Sequence, residues 1–221
     1  MDLLSRWTEI EAFLNKGGPA IWAIAILSVL TTALILWKVW RLILMGAWAG
    51  RTTEKAVQRW AVGDRSGARA LLDGRRSVRA VVARSAVTAR MGGAYSETEI
   101  REEVERVASG QLARARTGLR ALELISTIAP LLGLLGTVLG MIAAFQTLQQ
   151  AGAKADPSAL AGGIWEALLT TAAGMAVAIP AGVALTWFES VADRAQTDME
   201  DAVTRILTRH TPPPAMAAAA E

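Results

Sequence analysis

The 221-residue chain contains no cysteine and a single histidine, His210. The first absence removes disulfide frameworks, thiolate nucleophiles and cysteine-based metal sites. The second leaves no basis for an imidazole metal centre or a Ser-His-Asp arrangement, which need a neutral imidazole held by neighbours. No Gly-rich loop ends in the Lys-Ser/Thr pair that a nucleotide-binding P-loop requires, because Gly133, Gly136 and Gly140 lie inside an apolar run. Nor is there strand-like alternation. The arginines of the central segment are interleaved with Glu99, Glu102, Glu103 and Glu105 and are accompanied by no stacking set of aromatics, so they read as a solvated helix face; no nucleic-acid surface is expected. The composition therefore argues against an enzyme and predicts no cofactor and no metal.

Charge is missing over three long stretches. Pro19–Trp37, Leu124–Leu148 and Ala167–Phe188 carry no formal charge and are each long enough to cross a bilayer. A secretory signal is the competing reading of the first stretch, but its run is too long and the residues before it are acidic on balance. The fold class expected is an all-α membrane protein with three transmembrane helices, spans two and three continuing as long helices outside the bilayer. Lys38, Arg41, Arg51, Lys55, Arg106, Arg114, Arg116 and Arg120 all lie between spans one and two, whereas the loop between spans two and three holds one basic residue, Lys154. The bias of basic residues toward the cytoplasmic side then places the central segment and the C-terminus in the cytoplasm and the N-terminus outside. Trp22, Trp37, Trp40, Trp165 and Trp187 fall near span ends, where an indole is at home among headgroups.

The organisation expected is an amphipathic N-terminal helix on the outer membrane surface (1–18), span one (19–39), a helical cytoplasmic segment (40–123), span two (124–148), an outer loop (149–166), span three (167–188), a cytoplasmic helix (189–210) and a disordered Pro- and Ala-rich tail (211–221). Breaks are expected at Gly63-Asp64, Gly67, Gly74 and Gly92-Gly93, with a helix over Val78–Met91. Ser96-Glu97-Thr98-Glu99 has the form of a capping box and marks a helix start. With no proline before Pro130, that helix is expected to run through Arg101–Leu122 into span two.

Within span two, Ser126, Pro130, Gly133, Thr137, Gly140 and Ala144 share one helix face, and all are small or polar. Span three repeats this with Ala167, Thr171, Gly174, Ala178 and Ala181, and an overlapping stripe runs Thr170, Gly174, Ala178, Gly182. Small residues in lipid mark close backbone approach or a cavity. Span one has no such stripe and is expected to face lipid. The hydroxyls of Thr137, Thr170 and Thr171 have two readings: each bonds back to a carbonyl three or four residues earlier, or together they line a polar path with Glu166 at its outer mouth. Glu166 at the start of span three is also simply favourable near a helix N-terminus. No ionisable side chain lies near the centre of any span, so a proton relay would need a carboxylate from a partner.

Gly133-Leu134-Leu135-Gly136-Thr137-Val138-Leu139-Gly140 in span two, with Glu166-Ala167-Leu168-Leu169-Thr170-Thr171-Ala172-Ala173-Gly174 and Ala178-Ile179-Pro180-Ala181 in span three, resemble the signatures of the ExbB/TolQ/MotA proton-channel family. The three-span layout favours the ExbB and TolQ branches, ExbB-like first, since the MotA branch usually has four spans. The resemblance implies a pentameric ring in the bacterial inner membrane whose second and third spans surround a pore. That pore would hold an ExbD-like or TolR-like single-span partner carrying the proton-accepting Asp, coupled to a TonB-like or TolA-like protein. By motif position it implies pore-lining roles for Thr137 and Thr171, with Thr170, Gly133, Gly140, Gly174 and Ala178 beside them, and a proton-pathway or partner-coupling role for Glu166. Thr170 adds a second hydroxyl beside Thr171, and the tail after Thr211 has no counterpart. A non-conducting membrane scaffold is the rival reading from another class.

Overall fold

The computed structural model describes residues 18–93, 95–151 and 157–208. Seven helices are present among them, with no strand: α1 (Gly18–Leu44), α2 (Arg51–Ala61), α3 (Arg65–Leu72), α4 (Val78–Gly92), α5 (Glu97–Arg116), α6 (Leu119–Ala151) and α7 (Pro157–Thr208). Three helical stretches, Gly18–Leu44, Glu97–Ala151 and Leu160–Thr208, are long and apolar enough to cross a membrane. The chain divides into two units, one from residues up to Trp37 with Gly118–Trp187, the other from Lys38–Thr117 with the residues from Phe188 onward. The amphipathic helix expected before Lys16 and the tail expected after Thr211 lie outside the described residues.

The second unit is a bundle of short helices around one apolar core. Ala56, Val57 and Trp60 of α2, Ala68 and Leu72 of α3, Ala83 and Val87 of α4, Ile100 and Val104 of α5, and Ala195, Met199, Ala202 and Ile206 of α7 are buried together. Val203 of α7 is half-buried beside this core. The indole Nε1 of Trp60 donates to the carbonyl of Ile206 at 3.0 Å, which satisfies the one polar atom this ring brings into the core. Local chemistry sets the boundaries. Asp64 caps α3 by accepting from the Gly67 amide at 2.8 Å, so Gly67, expected as a break, instead sits in the first turn of a helix that begins two residues earlier. The Ser96–Glu99 capping box forms: the Ser96 amide donates to Glu99 Oε2 at 2.7 Å and the Glu99 amide donates to Ser96 Oγ at 3.3 Å.

The helix expected to run unbroken into span two does not. α5 ends at Arg116, and Gly118 adopts φ +87°, a left-handed backbone that a side chain resists. A Cβ at Gly118 would also lie 2.9 Å from Cζ3 of Trp37. The end of α5 leaves carbonyls without helical partners. Lys38, only 1% exposed, supplies them: its Nζ donates to the carbonyl of Ala115 and, at 2.6 Å, to that of Thr117. The break needs no proline: a left-handed glycine lies against an indole, and a buried ammonium group takes up the carbonyls at the end of α5.

The first unit packs α1, α6 and the N-terminal part of α7. Ile24 of α1 meets Ile125 and Ala129 of α6 and Val177, Ala178 and Ala181 of α7, with Leu27 and Leu34 alongside. Span one, expected to face lipid, buries one narrow face here; long aliphatic side chains there fill the groove that small residues leave on its neighbours. Its other faces, including Val29 and Leu36, are exposed, as are Leu131, Leu134, Ile179 and Val183 on the other spans. Helix extends into both ends of the segment expected as a loop over residues 149–166. α6 continues to Ala151 and α7 starts at Pro157, ahead of the expected Ala167. Proline is pre-organised for a first helical turn, and Gly163 allows α7 to continue close to α6, since a Cβ there would stand 2.6 Å from that of Ala144.

Candidate functional site

The contact between α6 and α7 is set by glycine. A Cβ on Gly133 would lie 2.9 Å from the Thr171 Cα and 3.0 Å from the Thr170 carbonyl oxygen; one on Gly174 would lie 2.5 Å from the Ala129 carbonyl oxygen. These neighbours are backbone atoms and cannot rotate away. One on Gly136 would meet Thr170 Oγ1 at 2.6 Å and Ala20 Cβ of α1 at 3.0 Å, and one on Gly140 would meet Ala167 Cβ at 3.0 Å. The buried line of α6 therefore runs through Ile125, Ala129, Gly133, Gly136 and Ala144. It is rotated from the expected stripe: Ser126, Pro130 and Thr137 are only half-buried at its edge. Gly136, absent from that stripe, lies between Gly133 and Gly140 at helical spacing, so the sequence carries its signal on a face adjacent to that of Thr137. Gly163 carried no such signal, since its partner Ala144 is known only once the two helices are side by side.

The three threonines part ways. Thr170 is 2% exposed, and its hydroxyl lies 2.7 Å from the Ala167 carbonyl on its own helix and 3.1 Å from that of Gly133 on α6, in reach of both acceptors. Thr137 donates to the Leu134 carbonyl at 2.7 Å. Back-bonding to a carbonyl three residues earlier accounts for these two. It does not account for Thr171, whose Oγ1 is buried without a hydrogen-bond partner. A hydroxyl left so costs about 1–3 kcal/mol, and such an atom calls for a partner.

A cavity of about 500 Å³ opens between α1, α6 and α7, walled by Gly18 to Ala20, Gly136, Gly140, Glu166, Ala167 and Thr170 among others. Among the described residues Glu166 is its one ionisable lining side chain. Glu166 stands nine residues inside α7, which starts at Pro157, so the favourable interaction of a carboxylate with the first turn of a helix does not explain its position. Thr137 does not line this space. It borders a separate open groove on α6 with Val138, Met141, Ile142 and Phe145. The structure thus brings Glu166, Thr170, Gly136 and Gly140 together, sets Gly133, Gly174 and Ala178 in the packed interface, and holds Thr137 apart. Among the described residues no group of His, Cys, Asp or Glu could hold a metal ion.

Residues 75–201, more than half of the chain, match the MotA/TolQ/ExbB proton channel family. The chain belongs to that family. Similar proteins are named for its ExbB branch. They include a Synechocystis protein carrying the name ExbB-like 1 (49% identical over 86 residues, 38% of this chain and 34% of the other). The biopolymer transport protein exbB1 of Vibrio cholerae is 44% identical over 84 residues, 38% and 37% of the two chains. The ExbB of Xanthomonas campestris is 36% identical over 105 residues, 47% and 41%. The chain thus matches well under half the length of these relatives. As a family member with three helices able to cross a bilayer, it is a membrane protein of ExbB-like type. Exposed Trp22, Trp37, Trp40, Trp165 and Trp187 suit its interfaces.

Proposed function

We propose that this chain is a ring subunit of an inner-membrane motor driven by the proton-motive force, working with an ExbD-like single-span protein to energise a TonB-like protein for outer-membrane transport. The observation that carries the reading is the cavity in which Glu166, its only ionisable lining side chain among the described residues, shares walls with Thr170 and the glycines of α6. No span centre holds a titratable group, so the carboxylate that carries the proton comes from the partner's membrane helix. In this reading the chain is a pentamer with its N-terminus periplasmic and its C-terminus cytoplasmic. It performs no enzymatic reaction and needs no cofactor. In this reading Thr137, on the open face of α6, faces what the ring encloses, and Thr171, whose buried hydroxyl has no partner, stands behind it at the contact with Gly133. One proton crossing about 100 mV releases roughly 2.3 kcal/mol, enough for repeated crossings to do mechanical work.

The test is proton flux into liposomes holding the purified chain with its single-span partner. The double variant Thr137→Val and Thr171→Val is expected to lower flux with the ring intact by native mass spectrometry; unchanged flux refutes the lining role. A TolR-like partner and a TolA-like third protein would move the assignment to the TolQ-like branch with the same mechanism. A scaffold would give assembly with no flux in the unmodified protein. Gly140→Leu does not discriminate between these readings, because the new side chain would strike Ala167 within the same chain.

A further inference from the structure

A second cavity, of about 470 Å³, lies in the unit of short helices at the start of α2. Two of its lining side chains are almost wholly buried and carry polar atoms with nothing to bond: Thr53 (3% exposed) through Oγ1 and Arg79 (7% exposed) through Nε. The rest of the Arg79 guanidinium is committed, one terminal nitrogen to the Ala47 carbonyl and the other to Asp198 at 2.7 Å. Its Nε faces the N-cap residue of α2, Gly50, and a Cβ built there would stand 3.9 Å from that nitrogen. Gly50 provides no side-chain cap for the first-turn amides of α2, which no carbonyl within the helix serves. Arg51 and Lys55 line the same space. Three carboxylates line it too, but each is already paired: Glu54 and Asp201 with Arg205 at 2.9 and 3.3 Å, Asp198 with Arg79.

Two orphaned buried donors, an uncapped helix N-terminus and two further cations call for an acceptor-only group with several oxygens. We infer that this cavity binds a phosphate group, held by Arg79 Nε, the Thr53 hydroxyl and the first-turn amides of α2, with Arg51 and Lys55 closing over it. Gly50 follows the end of α1 by six residues, and the intervening stretch exposes Trp48 just beyond exposed Trp40, side chains that suit a membrane surface. The phosphate can thus belong to a phospholipid headgroup or be free in solution.

The test uses the full chain in detergent and in nanodiscs. Inorganic phosphate is titrated calorimetrically in detergent, and retention of phosphatidylglycerol against diacylglycerol, which lacks the phosphate, is read by native mass spectrometry. The unmodified chain is expected to bind, and Thr53→Val and Gly50→Ala to weaken binding at least tenfold. Both variants should unfold at the same temperature as the unmodified chain or higher. Thr53→Val removes a hydroxyl that has no partner, and Gly50→Ala fills space at a backbone of φ −92° that alanine adopts freely. Binding of both probes assigns the site to phosphate as such, and binding of the lipid alone assigns it to a headgroup. Failure to bind either probe, or equal binding by all three proteins, overturns the inference. So does a lowered unfolding temperature in Thr53→Val without ligand binding, since the orphaned atoms would then be joined by a water molecule.

Discussion

The contact between α6 and α7 makes a sharp prediction for alanine at Gly174. The added methyl would stand 2.5 Å from the Ala129 carbonyl oxygen and close to the backbone of Gly133, whose Cα would be 3.2 Å away. Ordinary contact needs at least about 3.4 Å, so the helices must separate by the better part of an ångström. That movement stretches the hydrogen bond between Thr170 Oγ1 and the Gly133 carbonyl, now 3.1 Å. Overpacking costs about 1–3 kcal/mol, and a hydrogen bond between membrane helices adds roughly 0.6. Against this, alanine gains up to about 1 kcal/mol over glycine in helix propensity. The net loss is about 0.6–2.6 kcal/mol, or about 1–10 °C in the unfolding midpoint of a chain this size. Gly182→Ala is the control on the same helix: its methyl would rest 4.0 Å from Ser126 Cβ, in ordinary contact. Thermal unfolding of the detergent-solubilised protein, followed by circular dichroism, compares the two. Equal midpoints, or a larger fall for Gly182→Ala, would refute the close-approach account of this interface.

Three more perturbations probe the second unit. Lys38→Met should leave the carbonyls of Ala115 and Thr117 without their donor and destabilise by about 1–3 kcal/mol; faster proteolysis at the end of α5 checks it, and unchanged cleavage would show the ammonium dispensable. The Arg205 guanidinium bonded to Glu54 holds that carboxyl below its ordinary 4.5. A depressed carboxylate contributes stability that is present above the ordinary value and lost as pH falls through the folded one. Glu54→Gln should therefore flatten the fall in stability below about pH 4.5, by less than roughly 1 kcal/mol because both side chains reach solvent; identical acid profiles would count against the pair. Ser96→Ala should cost about 1 kcal/mol through loss of the capping box and speed amide exchange in the first turn of α5, an effect that Ser96→Thr should largely avoid.

The sequence by itself determined the class, the three spans and the family, because each rests on a one-dimensional signal: runs without charge, tryptophans near their ends, and a Gly-rich motif at fixed spacing. It also determined the start of α5, since a capping box closes within four residues. What lay out of reach depends on partners distant along the chain. Gly118 breaks a helix that local propensity would continue, its left-handed backbone lying against the Trp37 ring, and Lys38 takes up the carbonyls of Ala115 and Thr117 left at the end of α5. A stripe of small residues on α6 showed that something comes close but left two neighbouring faces eligible. Only the position of α7 chose Gly136 over Thr137 for the buried line and separated the satisfied hydroxyl of Thr170 from the unsatisfied one of Thr171. Likewise Thr53 and Arg79, twenty-six residues apart, show no relation in sequence. Tertiary packing alone places their unbonded atoms around one cavity, because burial and hydrogen-bond satisfaction are properties of a three-dimensional neighbourhood.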